Sequence, residues 1–482
     1  MKTTRLALFI ISLLPLMVAC GGNSVTDIAT NNKTPQISLD DSKLQFVSIQ
    51  NIGGTEESGN FLEANITPPM ADSGDNTDPR LATISPDGEK IVALRMNRET
   101  NIDSICVYRF SSNATTCIEV GEQFPRFTGG FWSPDSRYVV LNTDVEALIY
   151  MHECDLLIYD TQENRLINRT DDGVPITERI IDEGFREKTW VDLTPIFAPN
   201  GDLYFFRNAI DPSVDEWRAD LMRIPANEIT GTSTPEVILR HPSDVPFPTF
   251  RTSGWQLDGS MSISPNGQYL AYSAITQDAD DPNNGIWVID LTQKSVKVHI
   301  PTARFGIITT GMPPWWVEKM AEIEMKGIFA NSLSWASDSN RLVIMLVSGV
   351  YTRDDVLIPP LKYDVSANTL ESFYDYTTIS EEFDERTTIF DSQSINVDNV
   401  PLISIMSPTD KTLFYIGRNT VTNKFVLSAM AIPESGFTTP RRIEDEVDFV
   451  PLSVERVATS IGYNGKTIRI LSGLNLITLT EQ

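Results

Sequence analysis

The sequence predicts an all-β protein, built as a β-propeller from blades of four antiparallel strands. A short hairpin motif centred on Ser-Pro-Asp-Gly recurs along the chain, and strand-like apolar runs follow the copies. The length agrees with a repeat, because 482 residues exceed the roughly 100–200 residues of one ordinary domain. Hydrophobic residues make up 41% of the chain, which excludes a disordered protein.

The repeat is clearest at residues 84–94, which read Ile-Ser-Pro-Asp-Gly-Glu-Lys-Ile-Val-Ala-Leu. Proline presets φ at the first central position of a type I turn, Asp or Asn suits the second, and glycine accepts the left-handed position after it. Apolar residues on both sides favour strands, so each copy predicts a tight hairpin. The positions equivalent to Pro86 in the later copies are Pro134, Pro199, Pro265, Ser337, Pro408 and Tyr463.

A third and a fourth strand are expected after each hairpin, as at residues 156–160 and 165–167. Four-stranded sheets repeated around a ring form a propeller, which protects its sheet edges by radial packing. The seven copies predict seven blades. Six or eight blades remain alternatives, because the last three copies are recognisable mostly by position.

The Ser-Pro-Asp-Gly hairpins resemble the WD-like repeats of TolB-type β-propellers. The resemblance extends over residues 43–482, and its first four copies are the most specific. TolB-type propellers have six blades, whereas this repeat count favours seven.

The ends of the repeat region predict how the ring closes. After the seventh hairpin, residues 475–479 supply a third strand but leave no room for a fourth. Residues 44–49 precede the first hairpin and are strand-like. We therefore expect the N-terminal strand to become the outer strand of the last blade.

The N-terminus has the features of an export signal. Lys2 and Arg5 precede an apolar run over residues 6–18, which is too short for a membrane span of about 20 residues. The residues before Cys20 resemble a bacterial lipobox. That resemblance implies a signal peptide over residues 1–19, palmitate or a related acyl chain on Cys20, and a flexible tether over residues 20–42 ahead of the propeller at 43–482. An ordinary secretory signal that happens to contain a cysteine is the alternative.

The lipobox resemblance also implies a location. Gly21 follows the cysteine, and in such lipoproteins Asp at this position tends to mean inner-membrane retention, so Gly21 implies transport to the outer membrane of the bacterial envelope. The propeller would then lie in the periplasm or at the cell surface. Such compartments permit disulfides. Cys106 and Cys117 lie on the two arms of a predicted hairpin and are expected to be bonded, with three reduced thiols, Cys154 included, as the alternative.

The negative net charge of the chain restricts the kinds of partner that it can bind. The chain has 38 Lys and Arg against 65 Asp and Glu, a formal net charge of −27. Such a surface repels phosphate backbones, so we expect no nucleic-acid partner. We expect a monomer that reaches the membrane through its lipid anchor.

Long insertions are expected on the face opposite the Pro-Asp turns, where functional residues would concentrate. These insertions are placed at residues 168–192, 209–219, 241–258, 276–284, 302–330 and 378–400. They contain five tryptophans that could form a binding face, with Trp315 and Trp316 as the first candidates. The others are Trp190, Trp217 and Trp255. The alternative is that each tryptophan packs its loop onto the ring.

Signs of catalysis are weak. Asp278, Asp280 and Asp281 form an acidic stretch that could bind Ca²⁺, although a solvated turn is the preferred interpretation, and no other cofactor is expected. The first-strand positions nearest the channel are small and neutral, which favours binding over acid–base chemistry. They are Thr83, Gly130, Thr194, Ser262, Ser334, Ser404 and Thr459. The sequence thus favours a lipoprotein that binds a protein or an envelope polymer. A periplasmic enzyme that processes glycans or peptides with acids in the channel is the alternative.

Overall fold

The structure of the chain is a computed structural model. The structure describes residues 37–51, 82–97, 102–120, 131–142, 155–171, 191–211, 216–240, 261–274, 281–307, 328–348, 361–372, 375, 403–419, 424–448, 459–472 and 475–482. These ranges belong to one compact unit that begins at Ile37.

The described strands form seven four-stranded antiparallel sheets, which are the blades. From the inner to the outer strand, blade 1 contains β2 (Ala82–Ile84), β3 (Lys90–Asn97), β4 (Ile102–Arg109) and β5 (Ala114–Glu119), and blade 2 contains β6 (Phe131–Trp132), β7 (Tyr138–Asn142), β8 (Leu156–Asp160) and β9 (Arg165–Asn168). Blade 3 contains β10 (Val191–Phe197), β11 (Leu203–Asp211), β12 (Glu216–Ile224) and β13 (Glu236–Leu239), and blade 4 contains β14 (Met261–Ile263), β15 (Tyr269–Ala274), β16 (Gly285–Asp290) and β17 (Ser295–Pro301). Blade 5 contains β18 (Ile328–Trp335), β19 (Arg341–Ser348), β20 (Leu361–Asp364) and β21 (Thr369–Ser372), and blade 6 contains β22 (Ile403–Met406), β23 (Thr412–Asn419), β24 (Lys424–Ala431) and β25 (Arg441–Val447). Blade 7 contains β26 (Thr459–Asn464), β27 (Thr467–Ser472), β28 (Asn475–Glu481) and, as its outer strand, β1 (Leu44–Asn51).

The prediction of a seven-bladed propeller closed by its two ends is confirmed. β1 pairs antiparallel with β28, from Leu44 opposite Glu481 to Asn51 opposite Asn475. The pairing contains a bulge between Phe46 and Ser48, where the skipped Val47 is 54% exposed. Such a bulge blunts the edge of a sheet against pairing with another chain.

The backbone of the seven hairpins agrees with the turn chemistry in the sequence. Each hairpin between first and second strands contains one residue at positive φ, where glycine has no steric cost and other residues are strained. These residues are Gly88, Ser136, Gly201, Gly267, Ser339, Asp410 and Gly465, with φ between 56° and 88°. The sevenfold repeat is therefore a repeat of one backbone turn.

The Ser-Pro-Asp sequence stabilises this turn through one shared hydroxyl. In blade 1, Ser85 Oγ donates to Asp87 Oδ1 at 2.5 Å and accepts from the backbone N–H of Lys90 at 3.0 Å. The same Asp87 oxygen accepts from the N–H of Glu89. Ser133 and Asp135 repeat the first contact in blade 2, which explains why the motif keeps a serine before its proline.

Two of the turns replace glycine by serine and use the hydroxyl to join neighbouring blades. Ser136 Oγ of blade 2 accepts from the N–H of Asp87 of blade 1 at 3.0 Å. Ser339 Oγ of blade 5 accepts from the N–H of Asn266 of blade 4 at the same distance. The hydrogen bond offsets the strain of a positive φ in a residue other than glycine, and it links adjacent turns on this face of the ring.

The contact between blade 7 and blade 1 depends on two glycines. A Cβ on Gly462 would lie 2.2 Å from Ser85 O and 2.5 Å from the Cα of Gly88. Two backbones can approach this closely only without a side chain between them. The N–H of Tyr463 then donates to Pro86 O at 2.8 Å, so the ring closes by direct backbone contact.

Apolar side chains fill the spaces between adjacent blades, as expected for radially packed sheets. One cluster joins blades 4, 5 and 6 through residues such as Ile300, Tyr363 and Met430. Another joins blades 6 and 7, and it includes Leu39 and Leu44 from the N-terminal segment. The latch strand is therefore bound by packing as well as by hydrogen bonds.

One expectation about a loop is wrong. Residues 209–219 were expected to be an insertion, but β11 continues to Asp211 and β12 begins at Glu216. Trp217 therefore lies in a strand, opposite Ile210, and not in a loop. Antiparallel pairing is made by backbone hydrogen bonds, so a strand can continue through polar residues. Polar residues in this segment had favoured a loop.

Candidate functional site

The two faces of the ring differ in the length of their connections. The seven connections from first to second strand are short, as at residues 85–89 and 465–466. The connections between blades start from the opposite end of the strands, and three of the longest span residues 302–327, 373–402 and 52–81. The face opposite the turns is thus the candidate binding face of the propeller.

The first-strand residues predicted from the sequence lie in the first strands of their blades, with one exception. Thr83, Thr194, Ser262, Ser334, Ser404 and Thr459 lie in β2, β10, β14, β18, β22 and β26. Gly130 lies outside the described residues.

Inner-strand polar groups take part in contacts that hold the ring together. Ser460 Oγ of blade 7 accepts from the N–H of Ile84 of blade 1 at 2.9 Å. The indole N–H of Trp335 in blade 5 donates to the carbonyl of Ser262 in blade 4 at 3.2 Å. The inner strands of neighbouring blades are therefore joined directly by hydrogen bonds.

Asp192 is the only acidic or basic residue in the seven inner strands that the structure describes. It is fully buried, and Arg207 on the adjacent β11 binds it with two hydrogen bonds, Nε to Oδ1 and Nη2 to Oδ2, both 2.7 Å long. Arg207 itself is 7% exposed. Both charges are neutralised within the pair, so the geometry is that of a structural ion pair.

The sequence does not predict this pair, because residue 192 falls within the predicted insertion over residues 168–192. The sequence does contain an indication of a strand here, because Asp192 lies between the apolar residues Val191 and Leu193 just before a hairpin. Counting outward from the turn places residue 208, and not Arg207, opposite Asp192. The bulge between Leu193 and Ile196 shifts the register by one and brings Arg207 into place.

Thr194 lies in this bulge and has a strained backbone, with φ at 49°. Positive φ is rare for a β-branched residue. Its side chain is buried, and among the described residues its hydroxyl has no hydrogen-bond partner.

His299 is the only histidine that lies within the described residues. Its ring stacks on Trp287 with centroids 3.9 Å apart. Burial lowers the pKa of His299, while the backbone of Asn284 and Asn283 opposes that shift by favouring the protonated ring. Over the described ranges, no group of three or more His, Cys, Asp or Glu side chains is placed to hold a metal ion.

Cys20, Trp190, Trp255, Trp315, Trp316, Asp278 and Asp280 lie outside the described residues. Asp281 is described, and its Oδ1 accepts from the N–H of Asn283 at 2.8 Å in a turn before β16.

A disulfide joins Cys106 in β4 to Cys117 in β5, which are directly opposite in the register. Within the described ranges, no helix has the length and apolar content needed to cross a membrane.

Comparison with known proteins returns similarities of fold. No protein-family model matches the chain, and no curated protein matches it. Among solved structures, a Mycobacterium tuberculosis puromycin-hydrolyzing peptidase is 11% identical with a TM-score of 0.45, over 85% of this chain and 52% of that one. Kuenenia stuttgartiensis hydrazine synthase is 11% identical with a TM-score of 0.44, over 86% and 99%. An oligogalacturonate lyase in complex with manganese is 14% identical with a TM-score of 0.41, over 75% and 78%. These are likenesses of fold alone, and we assign none of these activities to the chain.

Proposed function

We propose that this chain is a TolB-like lipoprotein, anchored by acyl chains on Cys20 in the outer membrane of a bacterium. In this proposal its propeller binds a protein or an envelope polymer through the face that carries the long connections. The supporting observation is the asymmetry of the ring. One face consists of short turns joined to each other by hydrogen bonds, such as Asp87 N–H to Ser136 Oγ, and the other bears the long connections. Binding residues concentrate on such connections over a rigid scaffold.

The inner strands support binding over acid–base catalysis. A general acid or base needs an ionisable side chain that is free to exchange protons with a substrate. Asp192, the acid of the described inner strands, is held by two charge-assisted hydrogen bonds from Arg207. This pairing argues against its use in the alternative, a glycan- or peptide-processing enzyme.

The anchor is tested by replacing the proposed acylated cysteine. We expect Cys20→Ser to give protein without incorporated palmitate and without stable membrane association, because the acyl chains attach only through that sulfur. Two chains are needed for stable anchoring, since one gives only marginal affinity. Radiolabelled palmitate and membrane fractionation measure the result, with Cys154→Ser as the matched control. Equal labelling of Cys20→Ser and the unmodified chain would refute the anchor.

The binding face is tested at the paired tryptophans. We expect Trp315→Ala combined with Trp316→Ala to leave the melting temperature unchanged and to abolish capture of a partner from detergent-solubilised envelopes. Hot-spot residues of this type contribute about 2 kcal/mol or more each to binding. Capture uses the mature, full-length protein, with mass spectrometry to identify what is bound.

Trp335→Ala is the matched control for that experiment. Trp335 is 2% exposed within the core, so its truncation should cost about 3–5 kcal/mol of folding stability. A similar fall in melting temperature for the Trp315 and Trp316 double variant would mean that these residues pack the connection onto the ring. That outcome would reject them as binding anchors.

A further inference from the structure

The N-terminal segment over residues 37–43 is bound to one face of the ring. In this segment, Oδ2 of Asp41 accepts hydrogen bonds from Ser407 Oγ at 2.9 Å and from Thr409 Oγ1 at 2.5 Å. Both hydroxyls belong to the short hairpin turn between β22 and β23 of blade 6. The segment therefore lies at the face of the ring that carries the short turns.

Contacts from two other elements agree with this placement. Arg441 begins β25, and its guanidinium donates to the carbonyls of Asp41 and Leu44 at 3.0 and 3.1 Å. Leu44 is also paired with Glu481, whose N–H donates at 2.9 Å to the carbonyl of Lys466 in the hairpin turn of blade 7. The start of β1 is thus joined to the turn side of both blade 6 and blade 7.

The direction of β1 shows where the chain enters the ring. β1 ends at Asn51, opposite Asn475, the first residue of β28. A strand of eight residues such as β1 spans roughly 25 Å, so its two ends lie at the two opposite faces. Ile37 packs against the cluster between blades 6 and 7 and is three residues from Asp40, or at most about 11 Å of extended chain. Ile37 therefore lies near the turn face, and the opposite face is reached only after β1.

The short distance along the chain to the proposed anchor gives this entry point a consequence. Residues 21–36, about 16 residues, separate Cys20 from Ile37. A flexible tether of that length has an average end-to-end distance of about 22 Å. To bring the opposite face to the membrane, the tether would have to stretch beyond this average and pass around the rim of the ring.

We propose that the anchor holds the ring with its turn face toward the membrane and directs the face with the long connections away from it. This inference rests on the proposed lipid anchor at Cys20 and deepens the proposed binding function. It specifies that the partner approaches from outside the anchoring bilayer, and that it is not embedded in the same membrane.

Energy transfer from the protein to a labelled lipid tests this orientation. The full-length lipidated protein is added to the outside of phosphatidylcholine vesicles that contain a lipid with an acceptor dye on its headgroup. A donor dye is attached at Lys466→Cys or at Lys424→Cys, in a Cys154→Ser background so that the dye reacts at one site. Both lysines are exposed, and both variants remove the same charge.

The two labelled positions lie at opposite faces of the ring. Lys466 belongs to the hairpin turn of blade 7, whereas Lys424 begins β24 at the other end of the strands. We expect the efficiency of transfer from Lys466→Cys to exceed that from Lys424→Cys by about twofold or more, because the two ends of a blade strand lie roughly 25 Å apart.

A longer tether provides the matched control. Inserting about 40 Gly and Ser residues between Asn32 and Lys33 raises the average length of the tether to roughly 40 Å, which should bring the two efficiencies close together. A difference that the insertion leaves unchanged would overturn the tether as the cause of the orientation.

Two further outcomes separate the orientation from the anchor. Equal transfer from both positions, or greater transfer from Lys424→Cys, would overturn the orientation and leave the anchor standing. No transfer from either position, as expected for the Cys20→Ser chain, would refute the anchor and the orientation with it.

Discussion

Removing the latch strand should abolish the cooperative unfolding of the whole propeller. Deletion of residues 43–52 takes away the pairing partner of β28 and the apolar side chains of Leu44, Phe46 and Ile49, which pack between blades 6 and 7. Fully burying a side chain such as Leu44 contributes about 1.5–3 kcal/mol, and the partly buried Phe46 and Ile49 contribute less. Together with the lost strand pairing, this is a large part of the total stability of about 5–15 kcal/mol of an ordinary protein. Thermal unfolding by circular dichroism or calorimetry measures the effect.

Two point variants keep this prediction testable if the deletion prevents folding altogether. Leu44 is fully buried, so Leu44→Ala should cost about 2–5 kcal/mol. Val47 lies in the bulge of the same strand and is 54% exposed, so Val47→Ala should change stability by less than about 0.5 kcal/mol. Equal melting temperatures for Leu44→Ala and the unmodified chain would contradict the latch.

The fold could be predicted because its determinants are local and repeated. A residue with positive φ after Pro-Asp is specified by four consecutive positions, and Gly88, Gly201 and Gly267 mark it directly in the sequence. Even the degenerate copies keep the backbone turn, since Ser339 and Asp410 adopt the same conformation. Closure could be predicted by counting, because a three-stranded last blade needs a partner and residues 44–49 offer one.

The contacts between distant residues could not be predicted in the same way. Asp192 and Arg207 face each other only because a bulge shifts the register, and a bulge leaves no simple periodic signal. Asp41 and Thr409 are separated by 368 positions and form a hydrogen bond only because the N-terminal segment closes the ring. In the sequence, Ser136 and Ser339 are simply replacements of the turn glycine. Only the structure shows that their hydroxyls accept hydrogen bonds from the turn of the neighbouring blade.

The Asp192–Arg207 pair stands out because the described inner strands contain few charged residues. A chain with a net charge of −27 has an excess of acids, and its described inner strands contain one of them. Within the described inner strands, the one acid is paired with Arg207.

Breaking the buried ion pair between Asp192 of the inner strand β10 and Arg207 of the adjacent β11 should strongly destabilise the propeller. Arg207→Met leaves the fully buried carboxylate of Asp192 without its bidentate partner, and we expect a loss of about 3–5 kcal/mol in the free energy of unfolding. Adding Asp192→Asn to Arg207→Met removes the stranded charge and should restore most of that loss. Arg442→Met, which breaks an exposed pair with Asp445, should cost less than about 1 kcal/mol. Denaturant titration of the four proteins completes the comparison. If the double variant is no more stable than Arg207→Met alone, the penalty does not come from an unpaired charge, and Asp192 must be reconsidered as a functional group of the channel.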